Sequence, residues 1–206
     1  MQNNFSDLGI HIELQEHLID LNITIPTEVQ KKVIPFLLTR KKDLVALAKT
    51  GTGKTAAFGL PLLQLINSET NNLQVLVLAP TRELGQQIHH NLSLFASYNT
   101  DISILGLFGG NTIKSQTEIL KKKSHIVVAT PGRLIDLLER KLIDLSYISY
   151  FVLDEADEMM TTLRDDLETV FKKIPTHTRT LLFTATMPGT IKQRRGTPGI
   201  TQLPST

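Results

Sequence analysis

The chain has 206 residues, and 22 Lys or Arg against 20 Asp or Glu leave a formal charge of +2, too small a basic excess to announce a nucleic-acid binder by itself. The absence of Cys excludes disulfides, thiolate metal sites and Cys nucleophiles, and no apolar run approaches the ~18 residues of a membrane span. With 41% apolar residues the chain can build a core, which predicts a soluble, cytoplasmic protein of one substantial domain with at most a small appendage.

Residues 1–42 read as an N-terminal extension. It holds two helices, Ile12 to Leu21 and Thr27 to Leu38, parted by a turn at Pro26. Thr27-x-x-Gln30 matches a capping box, in which the Gln30 amide reaches back to the Thr27 N–H. The same amide carries a donor and an acceptor in one plane, the inventory that suits adenine N6 and N7. On the residues alone the cap is the commoner use.

From Asp43 the pattern changes to short apolar runs of the buried parallel type: Leu44 to Ala48, Val75 to Ala79, Ile102 to Leu107, Ile126 to Ala129, Tyr150 to Leu153 and Thr180 to Phe183. Helical stripes lie between most of them, carried by Leu60, Leu63 and Ile66, by Leu84, Ile88 and Leu92, and by Leu134, Leu137 and Leu138. Such alternation predicts an α/β domain over residues 43–193, a mainly parallel twisted sheet with helices on both faces. Ligands of such sheets bind at the carboxyl ends of the strands. After Pro188 the periodicity dissolves into Gly, Pro and Thr, so residues 194–206 are expected to be without structure or foreign to the natural chain.

Two stretches carry chemistry. "AKTGTGKT", Ala48 to Thr55, follows the first strand and opens a helix, and it matches the P-loop except that Ala48 stands for the first Gly. Gly51 and Gly53 let backbone N–H groups turn toward phosphate oxygens, Lys54 would neutralise phosphate charge, and the Thr55 hydroxyl would ligate Mg²⁺. "YFVLDEADEM" then sets Asp154, Glu155 and Asp157 at the mouth of a buried strand. Carboxylates are favoured in the first turn of a helix, which alone accounts for their presence. An acidic strand end opposite a P-loop also holds Mg²⁺, a task for which Asp154 is placed, with Glu155 able to accept a proton from water.

With "AKTGTGKT" and "DEAD" on one chain, the sequence resembles the N-terminal RecA-like domain of a DEAD-box RNA helicase, from about Phe5 to Pro188. "PTEVQ" (Pro26 to Gln30), "PTREL" (Pro80 to Leu84), Gly109 and Gly110, "TPGR" (Thr130 to Arg133) and "TAT" (Thr184 to Thr186) extend the likeness in the family's order. The resemblance implies an ATP-dependent RNA helicase that uses ATP and Mg²⁺ in a RecA-like P-loop NTPase fold. Gln30 would read adenine with Phe5 stacked on the base, and Thr50, Gly51, Thr52, Gly53, Lys54 and Thr55 would bind the phosphates. Thr55 and Asp154 would hold Mg²⁺, partly through water, and Glu155 would be the catalytic base. Thr81, Arg82, Gly110, Thr130 and Arg133 would lie along an RNA sugar-phosphate backbone. Asp157 would bond to the hydroxyls of Thr184 and Thr186 and couple nucleotide state to RNA.

The resemblance also implies a monomer that works with a second RecA-like domain in cis and with no membrane. Nothing after Pro188 resembles that second domain, so little or no unwinding is expected of these residues alone. Asn22-Ile23 departs from the family's Gly-aromatic pair, Gly85 replaces a small Ala, and Thr184 stands where Ser is common. Bland roles are expected for the adjacent His89 and His90, for Lys121 to Lys123 as a solvated helix end, and for Met159 and Met160 as core packing. Two readings compete: a P-loop enzyme of another kind, such as a small-molecule kinase or DNA translocase, and an RNA clamp without activity. Lys54, Thr55, Asp154 and Glu155 together weigh against the clamp, because a pure binder has no need of Glu155.

Overall fold

The computed structural model describes residues 4–110, 124–186 and 201–203. The expected end at Lys121 to Lys123 lies outside them. Strands β1 (Leu44–Leu47), β2 (Val75–Leu78), β3 (Ile104–Leu107), β4 (Ile126–Ala129), β5 (Tyr150–Leu153), β6 (Arg179–Thr184) and β7 (Thr201–Leu203) form one sheet in the order β3-β4-β2-β5-β6-β1-β7. Every pairing is parallel. Helices α1 (Ile12–Asp20), α2 (Glu28–Thr39), α3 (Lys54–Leu65) and α4 (Arg82–Ala96) cover one face, and α5 (Pro131–Glu139), α6 (Ala156–Thr162) and α7 (Arg164–Phe171) the other.

Strands β1, β2, β4 and β5 are unbroken apolar runs because each feeds two cores. Val75 and Val77 of β2 point into the core beneath α1 to α4, while Leu76 and Leu78 point beneath α5 to α7, and all four are 0% exposed. Met159 is likewise 0% exposed in the second core, as packing alone predicted.

Strand order places the site. The chain leaves β1, crosses to β2, and returns later to insert β5 and β6 between them. Because β6 pairs with both β1 and β5, the carboxyl ends of these three strands lie side by side. That is the position where open parallel sheets bind ligands.

Two departures noted in the sequence resolve locally. Asn22 adopts φ 59, a left-handed conformation that Asn tolerates better than other side chains with a Cβ. Its N–H bonds the Ile19 carbonyl at 2.9 Å and that of Ile23 bonds Leu18 at 2.8 Å, the paired bonds of a Schellman ending for α1. Ile23 then packs against the first core in place of an aromatic ring.

A correction concerns the tail. Thr201–Leu203 is strand rather than unstructured chain, paired with Leu44, Val45 and Ala46 of β1. The free edge of β1 would otherwise present unpaired N–H and C=O groups, and backbone pairing needs no apolar periodicity in the strand that supplies it. Leu203 adds a side chain to the first core.

At the opposite edge His125, 0% exposed, knits the strand starts together. Its Nδ1 accepts the Ser103 N–H at 3.0 Å, which leaves the ring proton on Nε2 to be given to the Thr70 carbonyl at 2.9 Å. Among the described residues no helix is long and apolar enough to cross a membrane.

Candidate active site

The loop after β1 turns at Gly51 (φ +81) and Gly53 (φ +89) before α3 begins at Lys54. Gly53 is the N-cap of this 12-residue helix and supplies no side-chain cap, so the first N–H groups of α3 stay available for an anion. Thr55 stands in that first turn.

Lys54 enters the core end of the cleft with a side chain only 5% exposed. Its Nζ lies 3.0 Å from Asp154 Oδ1 and 4.0 Å from Glu155 Oε1. The pair is close, yet the ammonium makes no well-aligned hydrogen bond among the described residues. A buried cation with spare protons beside a helix N-terminus fits a polyphosphate. Burial raises the Asp154 carboxyl above its usual value, and the Lys54 ammonium opposes that rise.

Glu155 holds φ 54 and ψ 51 at the start of α6. For a non-Gly residue this conformation costs about 1–2 kcal/mol. It leaves Asp154 2% exposed against Lys54 while Glu155 lines the open cleft. The Thr50 hydroxyl donates to Glu155 Oε1 at 3.0 Å, so the P-loop and the acidic motif already touch. A carboxylate partly open to solvent and steadied by one hydroxyl can accept a proton from water.

The cleft, about 440 Å³, also exposes Asp157 and Thr186. Asp157 Oδ2 accepts the Thr186 hydroxyl at 2.8 Å and the Thr186 N–H at 2.9 Å. The expected bond to Thr184 takes another form: the Thr184 hydroxyl donates to the Thr186 carbonyl, and still lies close enough to Asp157 to favour its ionised form. Burial raises the Asp157 carboxyl, but these donors together outweigh it and hold the group below its ordinary 3.8.

A carboxyl lowered in the folded state contributes stability above its unfolded value that is lost as pH falls through the folded one. Asp157→Asn should therefore lower stability at neutral pH and flatten the loss below about pH 4. Urea denaturation along the acid limb checks this; an unchanged slope in the variant would mean the Thr186 bonds do not tune Asp157.

Three cleft residues were not foreseen: Glu158, Thr161 and Thr162. They lie one to two turns into α6 from Glu155, so helical spacing was their only signal. Burial and a hydrogen bond shared with Glu155 raise the Glu158 carboxyl.

Gln30 performs the capping role and more. Its side-chain oxygen accepts the Thr27 N–H at 2.9 Å, and its Nε2 donates to the Gly53 carbonyl at 3.1 Å. The N-terminal extension is thereby fastened to the P-loop. One amide proton and one lone pair of Gln30 remain. Phe5 is enclosed, 4% exposed in the first core.

The predicted backbone-contact residues follow three consecutive strands of the sheet, β2, β4 and β3. Thr81 caps α4 by accepting the Leu84 N–H at 3.2 Å, and the exposed Arg82 follows it. The Arg82 guanidinium fills the space a side chain on Gly110 would take, and Gly110 has φ +93. Thr130 is the N-cap of α5, and Arg133 pairs with Asp136 at 2.8 Å with 11% of its side chain exposed. Arg82 and Gly110 are thus together, whereas Arg133 is engaged within its own helix.

Among the described residues no three His, Asp or Glu side chains converge as a metal cage. Mg²⁺ is commonly bound by one or two carboxylates completed by water and phosphate, a donor set that Asp154 and Thr55 match.

The family model described as DEAD/DEAH box helicase matches residues 27–194. The chain is 43% identical over 190 residues to the ATP-dependent RNA helicase CshA of Listeria monocytogenes, covering 92% of this chain and 36% of that protein. It is 43% identical over 193 residues to the ATP-dependent RNA helicase DeaD of Escherichia coli, covering 93% and 30%. The chain thus spans about a third of the length of these relatives. A DEAD box protein from Methanococcus jannaschii superposes with a TM-score of 0.90 at 34% identity, covering 97% of this chain and 55% of that one. Saccharomyces cerevisiae Dbp5 bound to RNA and ADP BeF3 superposes with a TM-score of 0.87 at 31% identity, covering 98% and 52%. Together with a P-loop whose lysine reaches the DEAD aspartate, these likenesses place the chain in the DEAD/DEAH box helicase family, as an N-terminal RecA-like domain.

Proposed function

We propose that the chain binds ATP with Mg²⁺ in the cleft between the P-loop and the DEAD motif, and grips single-stranded RNA by its backbone beside it. The whole protein, a cytoplasmic monomer, closes a second RecA-like domain in cis over both ligands and couples hydrolysis to local strand separation. One observation carries this reading: Lys54, Asp154, Glu155 and Thr50 meet within 4.0 Å contacts at the carboxyl ends of β1 and β5, the two strands that flank β6.

In this reading the α3 N-terminus and the Lys54 ammonium hold phosphate oxygens, while Thr55 and Asp154 hold Mg²⁺. Bound Mg²⁺ supplies positive charge to the transferring phosphoryl group. Glu155 orients the attacking water and takes its proton at the carboxylate. The bond between Asp157 and Thr186 ties this cleft to the end of β6, a route by which nucleotide state could reach the RNA side. Thr81, Arg82, Gly110, Thr130 and Arg133 supply hydroxyl, cation and helix N-termini suited to phosphate and sugar, with no aromatic rings interleaved for base stacking.

Adenine selectivity tests the nucleotide half. Gln30 keeps one donor and one acceptor for a base edge. Gln30→Ala should reduce the preference for ATP over GTP by about ten- to a hundredfold, the worth of one paired amide contact. Competition against a fluorescent nucleotide reads the ratio. Equal losses for both nucleotides would leave Gln30 only its bonds to Thr27 and Gly53, and would count against adenine recognition.

A further inference from the structure

The Phe108 ring, 6% exposed, is wedged between two glycines, Gly85 on α4 and Gly106 on β3. A Cβ on Gly85 would come to 3.0 Å from ring Cδ1 and 3.2 Å from Cζ, and closer still to Cε1. A Cβ on Gly106 would stand 2.7 Å from Cε2. One turn beyond Gly85, His89 meets the ring edge-on with centroids 6.5 Å apart. Gly85 weakens α4 relative to Ala, and a glycine inside a strand carries a comparable penalty. Both penalties fall where the ring enters, and a close-packed contact of this kind cannot shift without moving the helix or the loop.

The ends of this contact are the candidate RNA residues. Arg82 lies three positions before Gly85, on the same face of α4. Gly110 lies two positions after Phe108, and the Arg82 Cζ would sit 3.3 Å from a Cβ placed on it. Ring and guanidinium are therefore successive contacts along one seam between α4 and the chain leaving β3.

We propose that Phe108, seated on Gly85 and Gly106, is a positioning residue that sets the separation between Arg82 and the Gly109–Gly110 backbone, so that one RNA phosphate is received by both. The proposal rests on the RNA-backbone reading above, and its test separates the two.

Binding of a short oligouridylate is measured against salt for the 206-residue chain and for R82A, G85A, F108A and G85A/F108L, with affinity for an adenine nucleotide as the control. R82A should weaken RNA binding and lower the logarithmic salt slope by about 0.7, one phosphate contact. G85A should weaken RNA binding about three- to tenfold with a similar drop in slope, and leave nucleotide affinity unchanged. G85A/F108L, in which the smaller side chain makes room for the new methyl, should regain affinity and slope. F108A, which removes the spacer without a clash, should behave as G85A does and decides the matter should G85A fail to fold. Parent-like RNA binding by G85A and F108A alongside a weakened R82A would overturn the spacer. So would a double variant as weak as G85A, since that is general loss of packing. A silent R82A would remove the RNA-backbone reading itself and the proposal with it.

Discussion

Glu155→Gln should leave nucleotide affinity within a few-fold of the parent and lower ATP turnover by about 10²–10⁴, the usual range for losing a positioned general base. Geometry favours a clean result. The amide oxygen of Gln can still accept the Thr50 hydroxyl now bonded to Glu155 at 3.0 Å, so the side chain keeps its anchor while losing its basicity. Gln also tolerates or resists the φ 54 backbone much as Glu does, so no new strain is introduced. Phosphate release is measured under saturating RNA, on the chain joined to a second RecA-like domain, with nucleotide affinity titrated in parallel. Undiminished turnover would sink Glu155 as the base and turn attention to Glu158, a further carboxylate of the cleft that no described threonine holds.

Lys54→Ala should have two large effects with one cause. Nucleotide affinity should fall by about a hundredfold or more, because the only buried cation described at the cleft is removed. The unliganded fold should also lose about 3–5 kcal/mol, since Asp154, 2% exposed, is left without its counter-charge. Asp154 already has its carboxyl raised by burial against the pull of Lys54, and without Lys54 it rises further. The folded state then binds more protons than the unfolded one, so stability is greatest at low pH and is lost as pH rises through the raised value. Guanidinium denaturation at mildly acid and neutral pH should show that sign. Adding Asp154→Asn to Lys54→Ala should return much of the stability and none of the nucleotide binding. Equal stability of the single and double variants would mean that the ion pair does not carry a buried-charge penalty.

The strands and the helices around them were legible because the central strands β1, β2, β4 and β5 are buried on both faces and bounded by polar turns. Leu44, Val75, Ile126 and Tyr150 begin their strands as expected, and the acidic strand end lies opposite the P-loop. What escaped was non-local. Gly85 reads from sequence as a modest helix cost, and only its approach to Phe108 in space explains the absence of a methyl group. Residues 201–203 escaped because an edge strand can be held by backbone bonds along β1, which leave no apolar signature. Glu158 was invisible for the reason that makes acidic residues common at helix starts.

An all-parallel sheet has two unlike ends, and the difference can be put to use. The candidate site lies where the strands finish; where they begin, the chain is held by His125 and by polar loops, with Asn71 and Tyr147 exposed there. A fluorophore attached at Tyr147, just before β5, would sit a strand's length from the acidic motif that follows β5. With no native thiol to compete, a single Cys introduced at that position could be labelled selectively. Ligand-driven movement could then be followed by energy transfer to a labelled nucleotide, with the reporter kept clear of the groups that do the chemistry.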